Sequence, residues 1–169
     1  MGDLKNLHGE EAIKKLKEVV AKTNVCMFCT ESDGKLPMPT RPMDTQEVDD
    51  EGSFWFFSGK SSNKNREIAQ DDTVQLLFTH QHSDFLSVTG TVDVFKDHAK
   101  VEELWNGLLK TWFKEGKDDP ELTLLRVRPT EAYYWGTKNG KIVSTLKVMV
   151  SAATGLQMDG AVEGSVNIE

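Results

Sequence analysis

Residues 40–68 read TRPMDTQEVDDEGSFWFFSGKSSNKNREI, and this segment carries the main signals for the architecture. Three prolines within residues 36–44 exclude a helix there and limit ladder hydrogen bonds, as at a sheet edge or bulge. Residues 49–52 (DDEG) are typical of a turn, and residues 53–58 (SFWFFS) of an apolar strand. The segment therefore predicts two extended stretches that pair across a turn.

The flanking sequence adds further strands rather than regular strand–helix alternation. Antiparallel-type runs with short turns disfavour a doubly wound parallel sheet. We therefore predict a mainly β protein with peripheral helices, built on a small closed antiparallel barrel of about six strands. The predicted elements are an amphipathic helix at 10–22, strands at 25–30, 73–80, 84–95, 122–129 and 130–136, a helix beginning near Ser61 or Ser62, and a helix over 97–116.

The helix predicted over 97–116 has apolar residues at helical spacing, and its C-terminal end is set by Gly116. Such a stripe is more often core than part of a binding site. We therefore expect these five side chains to be buried together: Val101, Leu104, Trp105, Leu108 and Trp112.

Length and composition limit the classes of protein that the chain can represent. The 169 residues suit one domain, which we place at residues 1–155, with residues 156–169 as a flexible C-terminal tail. A net charge of -7 disfavours binding to nucleic acid or to an anionic membrane. The absence of a long apolar run and of a targeting leader favours the cytoplasm.

The sequence contains two pairs of potential metal ligands, and neither pair is predicted to form a metal site. Cys26 and Cys29 lie three apart on a predicted strand, so their side chains point to opposite faces and neither a zinc site nor a redox pair is expected. His80 and His82 share a strand face, but a third ligand is lacking. We therefore predict no metal.

The loop between the apolar strand and the following helix has the chemistry of an anion site. A phosphate monoester favours hydroxyl donors, cations and the free N–H groups of a helix start. The loop offers all of them, and Arg41 on the neighbouring strand would add a bidentate fork. A flat apolar slot beside such a cradle suits flavin mononucleotide (FMN), whereas the alternative is a solvated helix cap. The loop donors are Ser58, Lys60, Ser61, Ser62 and Lys64.

A specific family resemblance rests on this segment. Arg41-Pro42-Met43, followed by an aromatic pair, Ser58, Ser62 and Lys64, resembles the flavin-binding signature of the pyridoxamine 5′-phosphate oxidase-like split barrels. Residues 124–136 (LLRVRPTEAYYWG) resemble that family's late strand pair. The nearest branch is the general stress proteins, and the resemblance covers about residues 8–155. It implies a six-stranded antiparallel split β-barrel that binds FMN, with FAD as the alternative.

The resemblance also implies a role for each signature residue in phosphate binding. Arg41 would bind the flavin phosphate, and Ser62 and Lys64 would complete the phosphate site. The family's members are homodimers with the flavin between subunits, so a homodimer is expected here as well.

The remaining signature residues would surround the flavin ring. Pro42 and Met43 would lie along the isoalloxazine edge through their backbone, and Phe57 and Ser58 would line the ring and the ribityl chain. Trp135 of the other subunit would close over the flavin.

Departures from the signature weaken the case for vitamin-B6 oxidation. Gln46 and Asn63 replace basic residues of the full oxidases, and the residues after Trp135 lack the Arg and His that hold the pyridoxal substrate. We therefore expect a flavin-binding protein, with FMN-dependent oxidoreduction of an unknown small molecule as its possible activity. The alternatives are a non-catalytic flavin carrier or stress sensor, and a haem-binding barrel with His80 or His82 as axial ligand.

Overall fold

A computed structural model of the chain describes residues 3–31, 37–80, 84–137 and 161–168. Within these residues lie nine strands, three α-helices and two short 3-10 helices. The elements are β1 (Asp3–Leu4), β2 (Leu7–His8), α1 (Gly9–Lys22), β3 (Val25–Thr30), β4 (Thr40–Val48), β5 (Phe54–Gly59), α2 (Asn63–Ile68), β6 (Thr73–His80), β7 (Asp84–Phe95), α3 (His98–Leu104), the 3-10 helices Gly107–Thr111 and Gly116–Asp118, β8 (Leu122–Thr137) and β9 (Ala161–Asn167).

Six strands close into an antiparallel barrel, which confirms the predicted fold class. The order β8–β5–β4–β3–β6–β7 returns to β8 through the β7–β8 ladder, and every one of these pairs is antiparallel. Closure leaves no free edge among these strands except where a ladder ends early. Alternate side chains fill the interior, where the rings of Phe28 and Phe56 meet edge to face at 5.3 Å.

A second apolar cluster lies outside the barrel. The two-residue period of β5 directs Phe54 and Phe56 inward and Trp55 and Phe57 outward. The outward rings are covered by the segment that follows β7, so the cluster attaches this segment to the barrel wall. Its other buried members are Val101, Leu109, Phe113, Leu122 and Leu124.

The helix predicted over 97–116 is wrong beyond Leu104. The Asn106 side chain accepts a hydrogen bond from the backbone N–H of Leu108 at 3.1 Å and begins a 3-10 helix instead. Asparagine favours such local bonds over the helix interior. The change of direction leaves Leu108 and Trp112 exposed, so the predicted buried stripe is also wrong at these two positions.

One strand replaces the two that were predicted on either side of Pro129. β8 runs through this proline without a break, because Pro129 falls between the part of β8 that pairs with β5 and the part that pairs with β9. The β7–β8 ladder shifts register here, at Gly90. A Cβ on Gly90 would lie 2.3 Å from the carbonyl oxygen of Arg128, so this close approach requires glycine.

The flexible tail predicted for 156–169 is wrong for residues 161–167. They form β9, which pairs antiparallel with β8 and parallel with β1 and β2. The alternating pattern of a strand was obscured by two glycines within 160–164. The predicted domain boundary at residue 155 lies outside the described residues. None of the helices among the described residues is both long and apolar enough to cross a membrane.

Candidate functional site

The barrel opens where β4 and β5 separate. Their ladder runs from Val48 and Phe54 to Thr45 and Phe56, with a bulge at Gln46. Beyond it, residues 40–44 continue to pair with β3 and residues 57–59 with β8. The two backbones therefore diverge, and the edges that face one another are released from the sheet.

A cavity of about 460 Å³ lies in this split, a size suited to a small-molecule ligand. Five of the eight residues predicted to bind the cofactor line it together, namely Pro42, Met43, Phe57, Ser58 and Lys64. The other lining residues were not predicted as site residues, and they are Asp44, Gln46, Gly59, Leu109, Trp112, Phe113 and Glu121.

Lys64 provides the positive charge of the cavity. It is only 8% exposed, and its ammonium donates to the hydroxyl of Ser58 and, at 3.5 Å, to that of Ser62. In the described part of the chain no carboxylate forms an ion pair with it. Burial, together with the nearby Arg41 guanidinium, lowers the pKa of Lys64 to about 8. The Glu67 carboxylate opposes this lowering of the pKa without forming an ion pair with Lys64. A buried cation whose hydrogen-bond partners are all neutral is costly, and an anionic ligand would reduce that cost.

A buried hydrogen-bond network fixes the hydroxyl that faces Lys64. Ser58 Oγ donates to Asn65 Oδ1 at 2.5 Å, Asn65 Nδ2 donates to Thr123 Oγ1 at 3.1 Å, and Thr123 Oγ1 donates to the Ser58 carbonyl at 2.8 Å. Ser62 caps α2 by accepting from the Asn65 N–H at 3.2 Å. The start of α2 is thereby attached to β5 and β8. The sequence analysis missed Asn65 and Thr123, because their part in this network depends on the register between β5 and β8, which pairs Ser58 with Thr123.

Arg41 does not line the cavity. Its guanidinium donates to Glu67 Oε2 at 2.7 Å and to Thr30 Oγ1 at 2.8 Å, and the Thr30 hydroxyl donates to the same carboxylate at 2.6 Å. Burial alone would raise the pKa of the Glu67 carboxyl, but the bonds from Thr30 and Arg41 outweigh it and the pKa is lowered. Arg41 thus lies near Lys64, but its guanidinium is ion-paired with Glu67. The sequence alone did not reveal this ion pair.

The loop before α2 is less open to a ligand than its composition indicated. Glu121 Oε2 accepts from the backbone N–H of Ser61 at 2.9 Å and from its hydroxyl at 2.5 Å. The Lys60 N–H donates to the Glu121 carbonyl at 2.6 Å. Glu121, which lies just before β8, therefore occupies donors that the sequence assigned to a phosphate.

Trp135 lies on the outer surface of β8, away from the cavity lining. It pairs across the ladder with Phe85, and its ring lies 4.7 Å from that of Tyr133. Met27 and Leu77, a cross-strand pair on β3 and β6, extend this surface. The exposed fractions of these four side chains range from 40% for Leu77 to 43% for Trp135 and Phe85. A row of partly exposed apolar side chains therefore crosses β3, β6, β7 and β8.

Neither the two cysteines nor His80 lines the cavity. Both cysteines are buried and unpaired, and burial raises the pKa of the Cys26 thiol to about 12, which disfavours thiolate chemistry. His80 ends β6, and His82 lies outside the described residues. The described residues contain no group of three or more His, Cys, Asp or Glu side chains that could hold a metal ion.

Comparisons with known proteins agree with this arrangement. The sequence profile of the family described as "Pyridoxamine 5'-phosphate oxidase like" matches residues 11–159. General stress protein 26 of Bacillus subtilis (strain 168) is 27% identical over 78 residues, which are 44% of this chain and 55% of that protein. The match thus spans about half the length of this curated relative.

Two crystal structures extend the likeness to most of the chain. A putative general stress protein 26 from Jannaschia sp. CCS1 has a TM-score of 0.76 and 20% identity, with 90% of this chain and 96% of that one covered. The general stress FMN/FAD binding protein from Xanthomonas citri has a TM-score of 0.64 and 30% identity, with 77% and 91% covered. Since the family profile spans most of the sequence and the barrel is shared, the chain belongs to the pyridoxamine 5′-phosphate oxidase-like family.

Proposed function

We propose that the cavity between β4 and β5 binds FMN, with the phosphate on Lys64. The observation that carries this proposal is the buried ammonium of Lys64, which hydrogen-bonds to hydroxyls but forms no ion pair with a carboxylate among the described residues. The Xanthomonas citri relative, an FMN/FAD binding protein, supports a flavin as the ligand.

The donor set around Lys64 suits a phosphate monoester. A dianionic phosphate would accept from the ammonium, and it would accept from the hydroxyls of Ser58 and Ser62 once they exchange their bonds to Asn65 Oδ1 for phosphate oxygens. Because the anion compensates the buried charge, the site favours FMN over riboflavin. Arg41 would join the phosphate when its guanidinium exchanges the Glu67 carboxylate for the phosphate oxygens.

The split in the barrel suits the flavin ring. Pro42, Met43 and Asp44 present a backbone edge that no longer pairs with β5 and that is available to the polar rim of a heterocycle. Phe57 adds an apolar surface, and its ring packs against that of Phe113 in the outer cluster. These residues would orient the ring while Lys64 anchors the other end of the ligand.

The flavin would supply the redox chemistry, and the chain supplies binding and orientation. We therefore propose a flavin-dependent oxidoreductase whose substrate is a small molecule. A flavin carrier without turnover would bind FMN equally well, so oxidation of a reduced nicotinamide in the presence of bound FMN distinguishes the two.

We also propose that the functional unit is a homodimer. The row of exposed apolar side chains across β3, β6, β7 and β8 includes Met27, Leu77, Phe85 and Trp135, and a second copy of the chain would cover it. Leu77→Glu places a charge in this row and is expected to give a monomer in sedimentation velocity. An unchanged sedimentation coefficient for this variant, or a wild-type monomer, would contradict the dimer.

Binding measurements test the flavin proposal directly. Titration of the purified protein with FMN and with riboflavin should show micromolar or tighter binding of FMN. The double variant Lys64→Ala/Arg41→Ala should lose at least about tenfold more affinity for FMN than for riboflavin, because charge-assisted hydrogen bonds contribute about 1.5–3 kcal/mol each. Lys60→Ala is the matched control, since Lys60 is an exposed cation of the same loop. Equal losses for both flavins, or no binding to the wild type, would refute the proposal.

A further inference from the structure

Trp112 lines the cavity and is also largely exposed to solvent, although its side chain is large and apolar. Its side chain lines the cavity beside Leu109 and Phe113, yet the residue is 72% exposed. An indole carries one of the largest apolar surfaces of any side chain, and a ligand in the cavity would cover part of it. The exposed ring is therefore available for contact with a flat ligand in the cavity.

The backbone of Trp112 is held rigidly in this position. The Leu109 carbonyl accepts from the N–H of Trp112 at 3.0 Å and from that of Phe113 at 2.9 Å. Leu109 and Phe113 are buried in the outer cluster, where the Phe113 ring centroid lies 6.3 Å from that of Phe57. Leu109 and Phe113 thus anchor the backbone around Trp112, while the side chain of Trp112 projects to solvent.

A second contact attaches this segment to the strand that borders the split. Asn106 Nδ2 donates to Gln46 Oε1 at 3.0 Å, and Gln46 lies at the bulge where β4 begins to separate from β5. The same Asn106 caps the 3-10 helix that leads to Trp112. The bulge therefore fixes both the opening of the barrel and the position of the segment beside it.

We propose that Trp112 is a ring-stacking residue of the flavin site, contributed by the same chain that holds the phosphate. The proposal rests on the proposed FMN function, and it adds a contact that is separate from Trp135, which does not line the cavity. Leu109, Trp112 and Phe113 then form an apolar wall of the cavity, and planar aromatic ligands are the class that this wall selects.

Stacking on tryptophan has consequences that a purely structural residue would not produce. The oxidised flavin ring is planar and the reduced ring is bent, so a stacked indole favours the oxidised form and lowers the reduction potential. An adjacent indole also quenches flavin fluorescence through electron transfer. Both effects act on the ring and are independent of the phosphate.

The test compares Trp112→Leu with Leu108→Ala in the full chain. Leu108 is 77% exposed, belongs to the 3-10 helix that ends just before Trp112 and does not line the cavity, which makes it a matched control. Trp112→Leu should weaken FMN and riboflavin to the same extent, by about tenfold, as expected for the loss of one aromatic stacking partner. The bound flavin should become more fluorescent, and Trp112→Phe should restore most of the affinity.

The reduction potential of bound FMN provides a third readout. A tenfold weaker preference for the oxidised ring would raise the potential by about 30 mV for a two-electron couple. If the wild type binds FMN and Trp112→Leu leaves affinity, emission and potential unchanged, the stacking role is wrong while the flavin function stands. A changed sedimentation coefficient with unchanged flavin binding would also overturn it. Failure of the wild type to bind FMN and riboflavin would refute both proposals.

Discussion

The Arg41 guanidinium and the Glu67 carboxylate form an ion pair with a 2.7 Å separation between Nη2 and Oε2. The arginine of the flavin signature is therefore partly neutralised within its own chain, and the Thr30 hydroxyl bonds to both partners. Lys64 is left as the buried cation that lines the cavity. A phosphate that recruits Arg41 must compete with Glu67, so this carboxylate limits the affinity of the site for anions.

Glu67→Gln should therefore strengthen FMN binding. The substitution removes the negative charge but keeps an oxygen that can accept from Arg41. We expect about fivefold tighter FMN binding, corresponding to about 1 kcal/mol for a partly exposed charge pair, and no change for riboflavin. Titration of both flavins measures the effect, with Glu51→Gln at an exposed turn as the control. Weaker FMN binding would instead show that Glu67 holds Arg41 in the orientation that the phosphate needs.

Lys64→Met should stabilise the ligand-free protein while abolishing the preference for FMN. The pKa of Lys64 is about 8 in the folded chain and 10.5 ordinarily, so the unfolded chain holds more protons between these values. Folding is accordingly disfavoured by the buried charge below pH about 8, and the free energy of unfolding rises with pH through this window. At neutral pH the methionine should raise the free energy of unfolding by roughly 1–3 kcal/mol.

Urea unfolding at neutral pH and at pH about 10 checks this expectation. The wild type should gain stability between the two conditions through Lys64, and Lys64→Met should lack that part of the gain. Lys60→Met is the control, because Lys60 is exposed and its substitution removes a charge that is already solvated. A destabilised Lys64→Met at neutral pH would mean that the hydroxyls of Ser58 and Ser62 compensate the ammonium fully.

FMN binding should take up a proton above the pKa of Lys64. In the free protein the ammonium loses its proton as the pH rises through about 8, whereas a bound phosphate would raise its pKa and retain the proton. FMN affinity should therefore fall above pH about 8, by up to tenfold per pH unit, while riboflavin affinity stays nearly level. Calorimetry in two buffers of different ionisation enthalpy counts the proton. Equal pH profiles for the two flavins would place the phosphate away from Lys64.

The barrel and five of the twelve residues that line the cavity could be predicted from the sequence. Strand period, turn residues and the Ser62 cap are local signals, and they predict the separate elements between residues 40 and 68. Pro42, Met43, Phe57, Ser58 and Lys64, which the family resemblance implies as cofactor-binding residues, line one cavity.

The partners of those residues depend on tertiary contacts that no local pattern records. Glu67 reaches Arg41 because α2 folds back toward β4, and Glu121 reaches Ser61 across 60 positions. Trp112 lines the cavity because Asn106 ends the regular helix, which reverses the burial that helical periodicity predicts. Long-range packing therefore decides which donors of the site are free and which are already bonded.

Gly90→Ala tests the bulge that lets β8 run through Pro129 and close the barrel. The new Cβ would lie 2.3 Å from the Arg128 carbonyl oxygen and 3.0 Å from its carbon, and the obstacle is backbone, so it cannot rotate away. We expect the free energy of unfolding to fall by about 2–4 kcal/mol. Gly107→Ala is the matched control, since a Cβ there meets no atom within 4 Å and the change should cost less than about 0.5 kcal/mol. Urea unfolding of both variants compares them, and similar stabilities would show that the β7–β8 ladder accommodates a methyl group by shifting register.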